Sequence, residues 1–422
     1  MAMAASLTAF AVTESCWKRH GFPCLRRKQQ PGAESAPIVY ACMRRLFPQP
    51  ALFCVLFPQR GNILRLKYSE RGEANVKTNG KVRRLGPVIA VLAALLVIAV
   101  FVSFLLGRYP ISIGQAFGIL ADGLLNKLGL PGRVDVTWTG TQASLLLNHR
   151  LPRILLACLV GCCLSTAGAA YQGVFQNPMA APDILGASSG AAFGAALAIL
   201  LHLGSAMVVV MAFCGSMLTV LLVIYTGNHL RGKKAVGLIL AGIMIGSLVS
   251  SGTSFIKLVA DPENELPAIT YWLMGSLNGT KPSDVLFALI PMVIGCVPLF
   301  LLRWRVNVLT MGDDECRTMG VNASRLRVTV ILLATLITAA SVSVSGTIGW
   351  IGLVIPHFSR RLVGNNYKKL MPVTMLFGAL FLLLVDDVSR NLFTTEIPIG
   401  ILTSVIGVPF FLYLISGEGD RL

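Results

Sequence analysis

From Gly86 onward, apolar stretches alternate with short polar loops. A helix needs about 20 largely apolar residues to cross the hydrocarbon core of a bilayer. Stretches near that length lie at 86–106, 151–172, 186–203, 206–226 and 236–257, and five more at 284–302, 326–345, 348–360, 370–387 and 397–416, the eighth being short. The pattern predicts an all-α polytopic membrane protein with about ten transmembrane helices. An even number of crossings returns both termini to the same side.

Residues 1–80 break the pattern, with 12 Lys/Arg against 4 Asp/Glu, scattered Pro and no apolar run of spanning length. No h-region followed by a small-residue cleavage site marks a signal peptide. This basic extension reads either as disordered or as lying upstream of the true start. Glu70-Arg71-Gly72-Glu73 can be encoded by a purine-rich ribosome-binding sequence two codons before Val76, which favours Val76 as the natural start. N-terminal sequencing of the native protein that finds peptides from residues 1–60 would refute that expectation. The remainder, 81–422, is predicted to be one transmembrane domain.

Composition agrees with a membrane location. Hydrophobic residues make up 55% and charged residues 13% of the 422, and mean hydropathy is +0.72, proportions outside those of a soluble enzyme. The net charge of +17 would suit nucleic acid if it lined one soluble face. Here the basic residues lie between apolar stretches, which suits anionic lipid headgroups. With the N-terminus inside, residues 81–422 place 16 Lys/Arg and 6 Asp/Glu on the inner side and 8 and 9 on the outer. The positive-inside rule then puts both termini in the cytoplasm.

Candidate chemistry is sparse. The ten Cys form no CxxC pair and the five His are far apart in sequence, so no metal site is predicted and the thiols read as inert. Gly232-Lys233 and Gly80-Lys81 lack the spacing and hydroxyl of a phosphate-binding loop, so the chain does not itself hydrolyse ATP. The acidic residues fall at predicted span ends, where water can solvate them, and no intramembrane relay of carboxylates suggests ion coupling. No nucleophile–base constellation suggests an enzyme. His357, after Pro356, reads as a packing or capping group. In the segment Asn177-Pro178 to Gly186 two prolines forbid continued helix. The break is either a simple stop or, with Gly190 beyond it, a re-entrant wall of a path. The polar loop Met311–Val321, flanked by Arg303, Arg305, Arg325 and Arg327, reads on composition alone as a solvated inner loop.

Arg150-Leu-Pro-Arg153, Gln172 to Gly186 and Gly190-Ala191 resemble the FecCD-type permeases. These are the membrane subunits of ATP-binding-cassette (ABC) importers for iron-siderophore complexes, haem and vitamin B12. The likeness continues through Leu240-Ala-Gly242, Tyr271 to Gly275, Leu309 to Gly320, Gly346 to His357, Asp386 to Arg390 and Ile397 to Gly400, covering about residues 85–416. It implies a bacterial cytoplasmic-membrane protein working with a second copy or a paralogue, the path running along their two-fold axis. Two ATPase subunits would carry ATP and Mg, and an extracytoplasmic binding protein would deliver the ligand. This chain itself would hold no cofactor. By the same resemblance Gly312, Asp313, Arg317 and Gly320 belong to the coupling segment that docks on an ATPase. Arg150 and Arg390 would pair with binding-protein glutamates on the outer face, and Asn177, Pro178, Gly186 and Gly190 would form the re-entrant turn beside the path. Arg231 to Val236 corresponds to the cytoplasmic gate. The ligand class stays open among ferric siderophore, haem, corrinoid and oxyanion. A self-sufficient secondary transporter is the alternative, and stimulation of uptake by ATP plus a partner ATPase separates the two.

Overall fold

The computed structural model describes residues 85–107, 109, 111–129, 136–229 and 234–416. The extension 1–80 with Val76, and residues 231–233 of the Arg231 to Val236 segment, lie outside them. All regular structure among the described residues is helical: α1 (Leu85–Leu105), α2 (Ile113–Lys127), α3 (Gly140–Leu145), α4 (Leu151–Val174), α5 (Ala187–Leu200), α6 (Ser205–His229), α7 (Lys234–Val259), α8 (Glu265–Met274), α9 (Pro282–Leu301), α10 (Arg303–Leu309), α11 (Asp313–Thr318), α12 (Ala323–Ser345), α13 (Ile351–Val363), α14 (Tyr367–Asn391) and α15 (Ile399–Ser416). Each predicted span coincides with a helix. Among the described residues, seven segments are long and apolar enough to cross a membrane: α1, α4 with its N-terminal extension, α6, α7, α9, α12 and α14, while Ala187–Leu200 and Ile399–Tyr413 are shorter apolar helices.

Local chemistry sets many of the ends. Thr139 and Gln142 form a reciprocal capping box, Thr139 N donating to Gln142 Oε1 at 2.9 Å and Gln142 N to Thr139 Oγ1 at 3.3 Å, which starts α3. One wider, π-helical turn, Leu146–Arg150, joins α3 to α4 without a break. Pro282 opens α9, where its missing N–H costs nothing. The side chains of Asn322 and Asn366 cap α12 and α14 by accepting from Arg325 N and Lys368 N, each at 3.0 Å.

α4 is the central helix. Its glycines let backbones meet: Gly161 lies against Gly378 of α14, and Gly168 against Gly352 of α13. Close approach of this kind is the packing device of membrane helices, where lipid removes most hydrophobic drive between helices. Tyr171, fully buried, meets Thr335 of α12 through a 2.8 Å hydroxyl contact. The periphery is made by α1, α7 and α9, which turn Val91 and Ile98, Leu248 and Leu258, and Leu286 and Leu301 outward. In water such a surface would be costly; against acyl chains it is not.

Candidate functional sites at the two ends of the bundle

At one end, α9, α10, α11 and α12 follow one another through very short joints. Gln176, just beyond α4, donates from Nε2 to Leu309 O at 2.9 Å, and Asn307 Oδ1 accepts from Tyr367 N at 3.1 Å. α10 is thereby fixed to α4 and α14. α11 is entered at Gly312 (φ 130°) and left at Gly320 (φ 73°), conformations that favour glycine. Gly320 N donates to Arg317 O at 3.0 Å and Val321 N to Cys316 O at 2.8 Å, which closes the last turn. Arg327 of α12, its side chain almost fully buried, reaches Asp313 at 2.7 Å. The buried Cys316 thiol is pushed above its ordinary pKa by desolvation and then by the Asp313 carboxylate, against the pull of Arg327, so it stays protonated at neutral pH.

On the other face of α11, the side chains of Asp314 and Arg317 are 95% and 80% exposed. Their mutual contact of 4.0 Å contributes almost nothing at such exposure, which leaves both free to meet another molecule. A cavity of about 930 Å³ opens beside them, lined by Gln176, Ala235, Asp313, Arg317, Gly320 and Arg327 among others. Gly312, Asp313, Arg317 and Gly320, chosen from the sequence, thus belong to one rigidly held helical turn. Arg327, its anchor, was seen in the sequence only as flanking charge.

The opposite end carries a buried ion-pair cluster that the sequence did not disclose. Arg153 donates to Asp386 from Nε and NH2 at 2.9–3.1 Å and to both Glu396 oxygens from NH1 at 3.0 Å. Arg390 pairs with Asp387 and donates to Ser103 O at 3.0 Å, and Ser103 Oγ donates to Asp387 at 2.7 Å. Arg150 spans from α4 to the end of α1, donating to Phe104 O and Tyr109 O, each at 2.6 Å. Three arginines and three carboxylates therefore tie together α1, α4, α14 and the joint before α15.

Two expectations are corrected here. Asp386 and Asp387 are not solvated at a span end: Asp386 is 0% exposed, and only its arginine partners make that burial tolerable. Arg150 and Arg390, expected as exposed outer-face patches, are 6% and 8% exposed, and both donate to groups of the chain itself.

The predicted break after α4 is present. Gln176 takes a positive φ of 50°, Asn177 Oδ1 accepts from Met179 N at 2.9 Å, and Pro182–Leu185 forms a single 3₁₀ turn before Gly186 (φ 74°). Asn177 and Pro178 are exposed. Gly186 and Gly190, placed beside the path by the sequence reading, instead face the same chain: a Cβ on Gly186 would sit 3.3 Å from Gly246 Cα, and one on Gly190 would strike Thr219 and Gly215. His357 packs edge-on to Phe411, ring centroids 6.3 Å apart.

The described residues thus form a bundle of apolar helices of membrane-spanning length with a short, partly exposed helix anchored at one end. Residues 95–417 match the FecCD transport family, and the chain belongs to that family, whose members are ABC transporter permease subunits and not enzymes themselves. It is 42% identical over 271 residues to a probable iron chelatin transport system permease protein of Helicobacter pylori, covering 64% of this chain and 82% of that one. It is 38% identical over 327 residues to the molybdate import system permease of Haemophilus influenzae (77% and 94% covered). It is also 39% identical over 316 residues to the hemin transport system permease of Yersinia pestis (72% and 93%). Among solved structures, an inward-facing metal-chelate-type ABC transporter superposes with a TM-score of 0.70 at 36% identity, covering 79% of this chain and 99% of that one.

Proposed function

We propose that this chain is the translocating subunit of an ABC importer in a bacterial plasma membrane, both termini cytoplasmic, taking up a metal chelate delivered by an extracytoplasmic binding protein. Two copies, or one copy with a paralogue, enclose the path, and two ATPase subunits bind at the α11 end. The observation that carries this reading is the geometry of α11. It is anchored from behind by Arg327 and Asp313 and offers Asp314 and Arg317 to solvent beside the 930 Å³ cavity. A helix braced in this way transmits a push to α9 and α12; a floppy loop would absorb it. The ligand class rests on the iron-chelate and hemin relatives and on the metal-chelate-type structural neighbour.

The docking role of Arg150 and Arg390 enters this proposal in altered form. Largely buried and bonded to α1 and α14, they hold the shape of the outer end on which a binding protein would sit.

Arg317→Glu tests the coupling assignment. The side chain is exposed, so the fold tolerates the change, yet a cation at an interface becomes an anion. Reconstituted with its partner ATPase, the variant is expected to insert normally and to lose permease-dependent stimulation of ATP hydrolysis about tenfold, corresponding to ~1.4 kcal/mol of docking energy. Gly320→Val, which forces a β-branched residue into positive φ, should do the same by re-aiming α11. Full stimulation in both variants would refute docking at this helix.

A further inference from the structure

The cysteines scattered in sequence do not stay scattered in the fold. Midway along α4, the Cys163 thiol lies 3.6 Å, sulfur to sulfur, from the thiol of Cys296 on α9. Cys162, the preceding residue of α4, is the neighbouring thiol that could compete for Cys296. Cys163 is buried, but Cys162 and Cys296 are partly exposed. Val293, Ile294 and Val297 point outward while Met292 and Leu299 are buried, and the partly exposed Cys296 stands at the border between these two faces of α9. A small lipid-soluble reagent can therefore reach the pair.

We propose that Cys163 and Cys296 form a reversible oxidation site that staples α4 to α9. Two S–H bonds break and one S–S bond forms. The two protons and two electrons pass to a lipid-soluble two-electron oxidant such as a diazenedicarboxamide, whose N=N bond is reduced to the hydrazine. A dithiol reverses the step by exchange and leaves as its own cyclic disulfide. The sulfurs need to close by only about 1.5 Å to reach bonding distance, a shift within reach of side-chain rotation and small helix adjustment.

The surrounding packing decides the effect of the staple. Further along α4, Gly173 lies against Val306 of α10, and Gln176 bonds to Leu309 O. Only Leu302 separates α10 from α9. α4, α9 and α10 thus make one packed unit, with the new bond inside it and not across a boundary. A cross-link closing a long loop within a single unit restrains the unfolded chain more than the folded one, so oxidation is expected to stabilise.

The experiment treats the full-length chain in detergent with diazenedicarboxylic acid bis(dimethylamide), blocks free thiols, and follows peptides by mass spectrometry and unfolding by thermal melt. The expected result is a Cys163–Cys296 linked peptide and a melting temperature raised by a few degrees, both reversed by dithiothreitol and both absent in Cys296→Ser. Cys162→Ser should keep the peptide and the shift. Failure to recover the linked peptide, or its recovery without a rise in melting temperature, overturns the proposal. So does loss of the link in Cys162→Ser with its retention in Cys163→Ser, which would place the bond on Cys162.

Discussion

Arg153→Met is expected to cost about 3–5 kcal/mol, the penalty of stranding a buried carboxylate, and to leave little folded protein in the membrane. Asp386 has no route to water. In the native chain Arg153 faces it with two donor nitrogens, while Arg390 Nε stands 4.0 Å away. Methionine keeps the volume and removes every donor, and Asp387 beside it adds like charge. Glu396 loses a partner too, but it is partly exposed and can turn to solvent at small cost. The diagnostic companion is Arg153→Met with Asp386→Leu. Replacing both members of a buried pair by apolar groups is often nearly neutral, so the double variant should recover most of the loss, as read by thermal melting in detergent and by membrane yield. If Arg153→Met melts like the wild type, or if the double variant is no better than the single, the cluster does not hold the bundle together.

Gly168→Val should be at least as damaging, for a steric reason. A Cβ at this position would lie 2.6 Å from Gly352 Cα and nearer still to its carbonyl. The obstacle is backbone, which cannot rotate away, so α4 and α13 must separate. Overpacking of a tight core costs typically about 1–3 kcal/mol, and here the separation also disturbs the turn after α4, because Pro182 packs against Gly352 from the other side. A melting temperature lowered by several degrees, with Gly168→Ala intermediate, is the expected series. Wild-type stability in the valine variant would mean that the two helices are not in backbone contact.

The sequence disclosed the elements well and their pairings poorly, for physical reasons. Apolar length is a local property, so every stretch predicted to span coincides with a helix. α2, α3, α8 and α10 were missed because each is shorter than a span and carries polar residues: Tyr271 and Trp272 were read as motif letters, although they sit on α8. The α11 turn was singled out by the family resemblance, because on composition alone Met311–Val321 reads as a solvated inner loop. The ion cluster was not, because Arg153 and Asp386 are 233 residues apart and nothing local distinguishes a carboxylate solvated at a helix end from one held by an arginine. The adjacent acids inside the apolar run from Leu380 to Val388 were the available signal. The thiol contact between Cys163 and Cys296 was hidden by the same kind of separation.

The unbroken passage from α3 through the wide turn Leu146–Arg150 into α4 gives one rod of 35 residues, Gly140–Val174. At 1.5 Å per residue such a rod is about 50 Å long, more than the ~40–45 Å of a bilayer with its headgroups. The arginine–carboxylate cluster grips this rod at Arg150 and Arg153, well inside its Gly140 tip, and α10 packs against it at Gly173 near the other tip. A stiff shaft of this length does not store a disturbance locally. Tilting it by a few degrees at one water boundary displaces the far tip by several ångströms, so events on the two sides of the membrane share a single mechanical coordinate even before a second subunit is considered.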